Sequence, residues 1–150
     1  MEYQILPMAK CHVTGVAALE KQCFADPWCE QAVASELDNP LSLWLVAVRD
    51  GTVIGYVGSQ SVLGEADMMN LAVAPDCRRG GIAKALLQAL ETALDANGVY
   101  CLSLEVRQSN EPARTLYTSC GYAQVGLRPN YYRNPKENAL ILKKQWRAAE

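Results

Sequence analysis

A strand, a glycine-containing loop and an amphipathic helix follow one another directly in residues 66–98, and this succession constrains the fold more than any other feature of the sequence. Residues 66–73 predict a strand, and Pro75 stops it because proline has no N–H to donate to a sheet. Apolar residues then recur every four positions, as on the buried face of a helix: Ile82, Leu86, Leu90 and Leu94. Gly98 follows and is typical of a helix end. A strand that leads into such a helix indicates a domain in which helices pack on a sheet.

The remaining segments alternate between strand and helix patterns. Asp50 and Gly51 form a strong turn signal between two apolar runs and predict a hairpin. Further strands are predicted over residues 3–6, 43–48, 53–57, 101–106, 123–127 and 138–142, and further helices over residues 13–24, 30–37 and 111–121. The order β-α-α-β-β-β-α-β-α-β-β predicts an α+β fold with three layers, in which a mixed sheet lies between helices. The length of 150 residues fits one domain over residues 1–150.

Cysteine, histidine and charge content argue against several classes of protein. The six cysteines include no C-x-x-C pair, and His12 is the only histidine, so we expect neither a zinc site nor a disulfide framework. The net charge of −2 does not favour nucleic-acid binding, and no apolar run approaches the roughly 20 residues of a membrane span. The first residues lack the pattern of a secretory signal. We therefore expect a cytoplasmic protein without a metal, a nucleic-acid partner or a membrane partner.

The loop at residues 78–83 has the composition of an anion site. It precedes a helix, where unpaired N–H groups and the helix dipole attract negative charge. The glycines let the backbone approach phosphate oxygens, and Arg78 and Arg79 can add charge-assisted hydrogen bonds. The sequence contains neither a P-loop nor a G-x-G-x-x-G fingerprint. Taken alone, Gly80 and Gly81 favour a tight strand-to-helix turn over an anion site.

Short motifs around this loop occur in a fixed order along residues 66–142. They are residues 70–75, 104–107, 109–110, 116–117 and 120–122. Together they resemble the GNAT superfamily of acetyl-CoA-dependent N-acetyltransferases, whose loop pattern (Gln/Arg)-x-x-Gly-x-(Gly/Ala) is matched by Arg78, Gly81 and Ala83. Residues 27–28 and 130–132 extend the resemblance to the RimI-type branch, the ribosomal-protein alanine N-acetyltransferases.

The resemblance implies a fold and a cofactor. The fold is a twisted, mixed and mostly antiparallel sheet flanked by helices, and the cosubstrate is acetyl-CoA, with no metal. In the family, backbone groups of the strand at Leu71 and Val73 hold the pantetheine arm and the acetyl oxygen, an oxyanion role for main-chain N–H groups. The residues that the resemblance assigns to the cofactor are Leu71, Ala72, Val73, Arg78, Arg79, Gly80, Gly81, Ile82, Ala83, Lys84 and Asn110. Asn110 is also suited to cap the helix that follows it.

The resemblance also assigns Glu105 as the general base and Tyr117 as the general acid. Acetyl transfer needs a neutral amine, and the departing thiolate benefits from a proton. Position alone also fits a solvent-facing Glu105 or a Glu105–Arg107 ion pair, and Tyr117 also fits a packed core position. A single glutamate suits an α-amine, which titrates at about 7.7–8.0, better than a lysine, which titrates at about 10.4. Direct transfer in a ternary complex is favoured over a covalent acetyl-cysteine, because His12 lies far from the motifs.

Trp28, Tyr131 and Tyr132 are the candidate substrate-binding residues. Their rings can grip a peptide backbone and stack on side chains, or they can simply anchor their loops. The resemblance implies that the acceptor is the N-terminal α-amine, alanine, of a small-subunit ribosomal protein. A small-molecule amine, another protein N-terminus and a catalytically silent acyl-CoA-binding module remain as alternatives. We expect a monomer or a weak dimer.

Overall fold

The computed structural model describes residues 2–149 and contains the predicted order of strands and helices. The helices are α1 (Val13–Cys23), α2 (Glu30–Ser35), α3 (Ile82–Ala96) and α4 (Glu111–Ser119). The strands are β1 (Gln4–Pro7), β2 (Ser42–Arg49), β3 (Thr52–Val62), β4 (Glu65–Val73), β5 (Cys101–Arg107), β6 (Ala123–Tyr132) and β7 (Glu137–Gln145).

The strands form one sheet in the order β1-β2-β3-β4-β5-β7-β6. Five neighbouring pairs are antiparallel, and only β4 and β5 run parallel. The helix α3 forms the crossover between these two strands, as a parallel pair requires. The predicted mixed and mostly antiparallel sheet is therefore confirmed.

Helices cover both faces of the sheet, which confirms the three layers. Residues of α3 form one core with the sheet, and residues of α1 and α2 form a second core on the opposite face. Strand alternation divides β2 between them, so that Leu45 faces α3 and Trp44 faces α1. The predicted stripe on α3 is buried, and Leu86 and Leu90 have no exposed surface. Each such burial contributes about 1.5–3 kcal/mol before entropy is counted.

A β-bulge at Met69 changes which side chains of β4 point to each face of the sheet, halfway along the strand. Ser59 pairs with Met68 and Gly58 pairs with Asn70, so Met69 is an extra residue of β4 that has no partner in β3. Ala66 and Met68 pack on the α3 side before the bulge, and Leu71 does so after it. Asn70 is thereby turned to the α1 side, where its side chain contacts a residue of α1.

The strands β4 and β5 separate after a short parallel stretch. They pair only from Glu65 opposite Cys101 to Asp67 opposite Ser103. Beyond this point β4 continues to Val73 and β5 to Arg107 with no pairing between them. The part of the sheet described here therefore contains a gap at its centre, between the carboxyl ends of two parallel strands.

The strands β3 and β6 extend furthest beyond their predicted ends, each by five residues, from residue 57 to 62 and from residue 127 to 132. β3 extends beyond residue 57 because residues 58–62, which include the polar Ser59, Gln60 and Ser61, pair with β2 or β4 and because Gly58 leaves room for the Trp44 ring. β6 extends beyond residue 127, so Tyr131 and Tyr132 lie at the end of a strand and not in a loop. Pro129 is tolerated there because β6 is at the edge of the sheet.

Candidate active site

The gap between β4 and β5 opens into a cleft of about 790 Å³. Its walls come from the segment after α1, from β4 and β5, from the start of α4 and from the end of β6. Seven residues predicted from the sequence line this cleft: Trp28, Leu71, Glu105, Asn110, Tyr117, Tyr131 and Tyr132. Because the lining includes residues from both faces of the sheet, the cleft passes from one face to the other.

Glu105 lies on β5 with its side chain on the face opposite α3. Its neighbours Leu104 and Val106 pack into the α3-side core, and successive side chains of a strand point to opposite faces. The carboxylate is 31% exposed and lies 3.2 Å from Arg128 Nε. Together with partial burial, its charge raises the pKa of Asp67 above the ordinary value. Glu105 is thus a partly exposed carboxylate at the cleft.

Tyr117 lies on α4 on the other face, in the α3-side core. Its ring packs edge-to-face on Tyr122 with 5.9 Å between centroids, and its hydroxyl donates to Met68 Sδ at 3.8 Å. Burial raises the pKa of Tyr117 well above its ordinary value. The phenol therefore stays neutral at physiological pH and faces the cleft as a hydrogen-bond donor.

Peptide groups of β4 point into the gap. The Ala74 N–H donates to the Ile54 carbonyl at 2.8 Å. Since the direction of the peptide groups alternates along a strand, those of Ala74 and Ala72 point towards β3. The peptide groups of Leu71 and Val73 alternate with these and point the other way, towards the gap. Arg78 Nε donates to the Val73 carbonyl at 3.1 Å, as this direction requires. Ala72, by contrast, packs its side chain into the α1-side core.

The loop at residues 78–84 adjoins the cleft and does not line it. Arg79 has φ +68° and Gly81 has φ +78°, both in the left-handed region, and Gly81 is the N-cap of α3. No side chain among residues 2–149 caps this helix, and its first turn contains no acidic residue. The buried Ile82 fixes the helix start, and Ala83 and Lys84 complete the turn. Such a terminus offers backbone N–H groups and partial positive charge to an anion, so the loop fits a cofactor phosphate.

Asn110 caps α4, as its sequence position suggested. Its side-chain oxygen accepts a hydrogen bond from the Ala113 N–H at 3.2 Å. The same residue lines the cleft, so its capping role fixes the helix that carries Tyr117 beside the gap.

Aromatic rings form the two outer walls. The Trp28 ring packs edge-to-face on Trp44 with 5.4 Å between centroids. On the opposite wall, Tyr131 and Tyr132 pack edge-to-face at 5.1 Å, and Tyr131 is 50% exposed. Burial, followed by the neighbouring Glu105, raises the pKa of Tyr132 to about 12. Both tyrosines are therefore neutral donors at physiological pH.

Arg107 holds the tyrosine wall in place, a role that its position in the sequence did not reveal. Its guanidinium donates to the carbonyl oxygens of Arg133 and Pro135, each at 2.8 Å, and pairs with Glu137 at 3.3 Å. It also lies 4.4 Å from the centroid of the Tyr132 ring. Arg107 therefore acts on the β6–β7 hairpin, and the Glu105–Arg107 ion pair considered from the sequence does not form.

Glu20 on α1 is a second residue that sequence reasoning missed. It is completely buried, and its carboxylate accepts hydrogen bonds from the Trp28 N–H at 2.8 Å, from Asn70 Nδ2 at 2.8 Å and from the Tyr56 hydroxyl. Burial and this hydrogen bond raise the pKa of Tyr56. An acidic residue four positions after Val16, within the apolar stripe of α1, is the signal that could have revealed it.

Within residues 2–149 no group of three or more histidine, cysteine, aspartate or glutamate side chains is arranged to hold a metal ion. The cysteines are free thiols, as Cys77 and Cys101 in the core illustrate. No helix in the described part of the chain is long and apolar enough to cross a membrane.

Comparisons with known proteins match this architecture. The sequence profile of the acetyltransferase (GNAT) family matches residues 13–122. The ribosomal protein bS18-alanine N-acetyltransferase of Escherichia coli (strain K12) is 37% identical over 126 residues, which cover 83% of this chain and 84% of that protein. Its namesake from Haemophilus ducreyi is 38% identical over 127 residues, which cover 83% and 87% of the two chains.

Solved structures give the same result. The crystal structure of the ribosomal-protein-S18-alanine N-acetyltransferase from Escherichia coli superimposes with a TM-score of 0.90 at 32% identity, covering 99% of this chain and 97% of that chain. Ard1 from Thermoplasma volcanium also reaches a TM-score of 0.90, at 20% identity, and supports the fold alone. The matching family profile and these relatives show that the chain belongs to the acetyltransferase (GNAT) family.

Proposed function

We propose that the protein transfers the acetyl group of acetyl-CoA to the N-terminal α-amine of a protein, and specifically to the N-terminal alanine of ribosomal protein bS18. The observation that carries this proposal is the placement of Glu105 and Tyr117 at one cleft, on opposite faces of the sheet. A base on one face and a proton donor on the other suit a reaction in which acceptor and donor approach from opposite sides. The names of the relatives at 37–38% identity supply the acceptor.

Acetyl-CoA fits the α3 side of the gap. The backbone at residues 80–84 would hold the pyrophosphate, with Arg78 and Arg79 adjacent to it. The N–H groups of Leu71 and Val73 point into the gap and can donate to the thioester oxygen. Asn110, which lines the cleft at the start of α4, would contact the pantetheine arm, whereas the Ala72 side chain packs into the α1-side core, away from it. When bound, acetyl-CoA supplies an activated acyl group.

Glu105 and Tyr117 move the protons. The amine nitrogen bonds to the acyl carbon, the carbon–sulfur bond breaks, and Glu105 accepts the proton that the amine loses. Tyr117 stabilises the departing thiolate by donating a hydrogen bond or its proton. Bringing an α-ammonium to its neutral form at pH 7 costs roughly 1 kcal/mol, whereas a lysine costs more than about 4 kcal/mol, so one partly solvated carboxylate suits the α-amine.

Trp28 and the Tyr131–Tyr132 pair would hold the first residues of the acceptor on the α1 side. The proposal takes residues 1–150 as one catalytic domain, working as a monomer or weak dimer in the cytoplasm. It requires no metal, nucleic acid or membrane.

The experiment is an acceptor panel. The protein is incubated with acetyl-CoA and with peptides that begin with Ala, Ser, Met or Gly, including the bS18 N-terminus, and with small amines, and the products are identified by mass. Acetylation of the bS18 peptide at its α-amine is the expected result. Acetylation of small amines alone would overturn the proposed substrate, and binding of acetyl-CoA without any transfer would indicate a silent acyl-CoA-binding protein.

A further inference from the structure

Asn70 and Glu105 present side chains on the same face of the sheet, one on each side of the gap. Glu105 belongs to β5 and faces away from α3, and Asn70 belongs to β4 and faces α1 because of the bulge at Met69. Both residues line the cleft. The face that they share is also the one that carries Trp28.

The orientation of the Asn70 amide is set by Glu20. Asn70 Nδ2 donates to Glu20 Oε2 at 2.8 Å, and the same carboxylate accepts from the Trp28 N–H and the Tyr56 hydroxyl. A carboxylate can only accept, so the amide nitrogen must face Glu20 and the amide oxygen must face away from it. No donor from residues 2–149 bonds to Asn70 Oδ1. An acceptor of fixed direction therefore remains at the cleft.

A substrate α-amine needs such acceptors. In its ammonium form it carries three N–H donors, and it loses water when it enters a cleft between aromatic walls. Burying these donors without partners is costly, and a single carboxylate does not satisfy all of them. Asn70 Oδ1 can accept one hydrogen bond and, being neutral, leaves the proton transfer to Glu105.

We propose that Asn70 Oδ1 binds the α-amine of the acceptor together with Glu105, and that Glu20 is the positioning residue that directs it. This inference rests on the proposed function and specifies how the same site recognises its substrate class. It predicts that the site distinguishes an N-terminal residue with a free α-amine from the same residue without one, and that Asn70 supplies part of the difference.

The test compares two peptides that differ only in the amine. One begins with alanine, and the other begins with a propionyl group, which is alanine without its α-amine. Their dissociation constants are measured calorimetrically, in the presence of CoA at pH 7, for the wild type and for Asn70→Leu. We expect the variant to bind the alanine peptide about 10-fold or more weakly, the range for a hydrogen bond to a charged group. The propionyl peptide should bind equally well to both proteins.

Equal weakening for both peptides, or no weakening for either, would overturn the inference. Glu20→Gln provides a second variant, since a glutamine can face Asn70 with either its oxygen or its nitrogen and so releases the amide orientation. It should also weaken the alanine peptide selectively. Glu36→Gln is the matched control, because Glu36 is another buried carboxylate, bonded to Trp44 and Gln60 outside the cleft.

The two proposals fail separately. A wild type that acetylates no peptide overturns the proposed function. A wild type that acetylates the alanine peptide, with an Asn70→Leu variant that shows no amine-selective loss, overturns only the role of Asn70.

Discussion

Glu105 and Tyr117 lie on opposite faces of one sheet and line the same cleft, because the gap between β4 and β5 connects the two faces. The Glu105 carboxylate is partly exposed and lies 3.2 Å from Arg128 Nε, whereas the Tyr117 hydroxyl is buried against Met68. The two groups therefore lie in different environments, one partly exposed to solvent and one buried, as the proposed acid and base of one reaction require.

Replacing Glu105 by glutamine should lower kcat/KM for the alanine peptide by about 10²–10⁴-fold at pH 7, the range for a lost general base. Activity should partly return as the pH rises through about 8, because the α-amine then loses its proton to solvent. Initial rates between pH 6 and pH 10 provide the measurement. A variant with the wild-type rate and pH profile would remove Glu105 from the reaction.

Replacing Tyr117 by phenylalanine should lower kcat about 10-fold or more and change stability by less than about 1 kcal/mol. The rate falls because the thiolate loses its donor. Stability is nearly kept because the hydroxyl bonds only a thioether sulfur, a weak acceptor. Since burial raises the pKa of Tyr117, the wild type should keep this donor up to at least pH 10. An unchanged kcat at saturating substrates would contradict the assignment.

Replacing Gly81 by alanine should raise KM for acetyl-CoA while leaving KM for the peptide nearly unchanged. Gly81 has φ +78°, and an L-residue in this region costs about 1–2 kcal/mol and tends to shift the N-terminus of α3. Gly98→Ala is the control, because Gly98 has φ +83° with open space around it at the other end of the same helix. Both variants should lose similar stability in urea, and a similar rise in KM for Gly98→Ala would show that the effect is not local.

Replacing Arg107 by lysine should raise KM for the peptide and leave KM for acetyl-CoA unchanged. A lysine cannot reproduce two carbonyl contacts, an ion pair and a stacked ring at once, so the hairpin with Tyr132 loosens. Limited proteolysis should cleave the variant faster near residues 133–136. Arg114→Lys serves as the comparison, since the Arg114 guanidinium donates to one carbonyl, that of Gln108, outside the cleft lining. If both variants are cleaved at equal rates, Arg107 does not hold the hairpin in place.

Stability should fall as the pH rises from about 10 towards 12, and Tyr132→Phe should reduce this fall. The pKa of Tyr132 is raised to about 12, so between these values the unfolded chain loses a proton that the folded chain keeps. Because the unfolded state then binds fewer protons, the free energy of unfolding decreases as the pH rises. Well below pH 10, Tyr132 is protonated in both states and contributes no pH dependence. Urea titrations at pH 9, 10 and 11 measure the slope, and an identical slope in the variant would contradict the expectation.

The sequence predicts this fold well where local patterns decide the structure. The stripe from Ile82 to Leu94, the strand around Leu104 and the cap at Asn110 depend on neighbours within a few residues, and all are confirmed. Strand ends were less predictable, because β3 continues through polar residues only with partners on both sides.

Contacts between distant residues could not be predicted from one sequence. Glu20 meets partners 36 and 50 positions away, at Tyr56 and Asn70. The bulge at Met69 depends on the register of a neighbouring strand, and it decides on which face Asn70 appears. Tyr131 lines the cleft, and its place at the end of β6 was not predicted, because the pairing of Tyr132 with Glu137 extends the strand past the turn signals around Pro129.

The gap between β4 and β5 has a consequence for the order of events. The gap is open on both faces of the sheet, and in the proposed reaction acetyl-CoA enters from the α3 side and the peptide from the α1 side. A bulky polypeptide at the α1 side leaves the opposite side free, so spent CoA can be exchanged while the protein partner is still in place. In the proposed reaction, therefore, neither product has to wait for the other to depart.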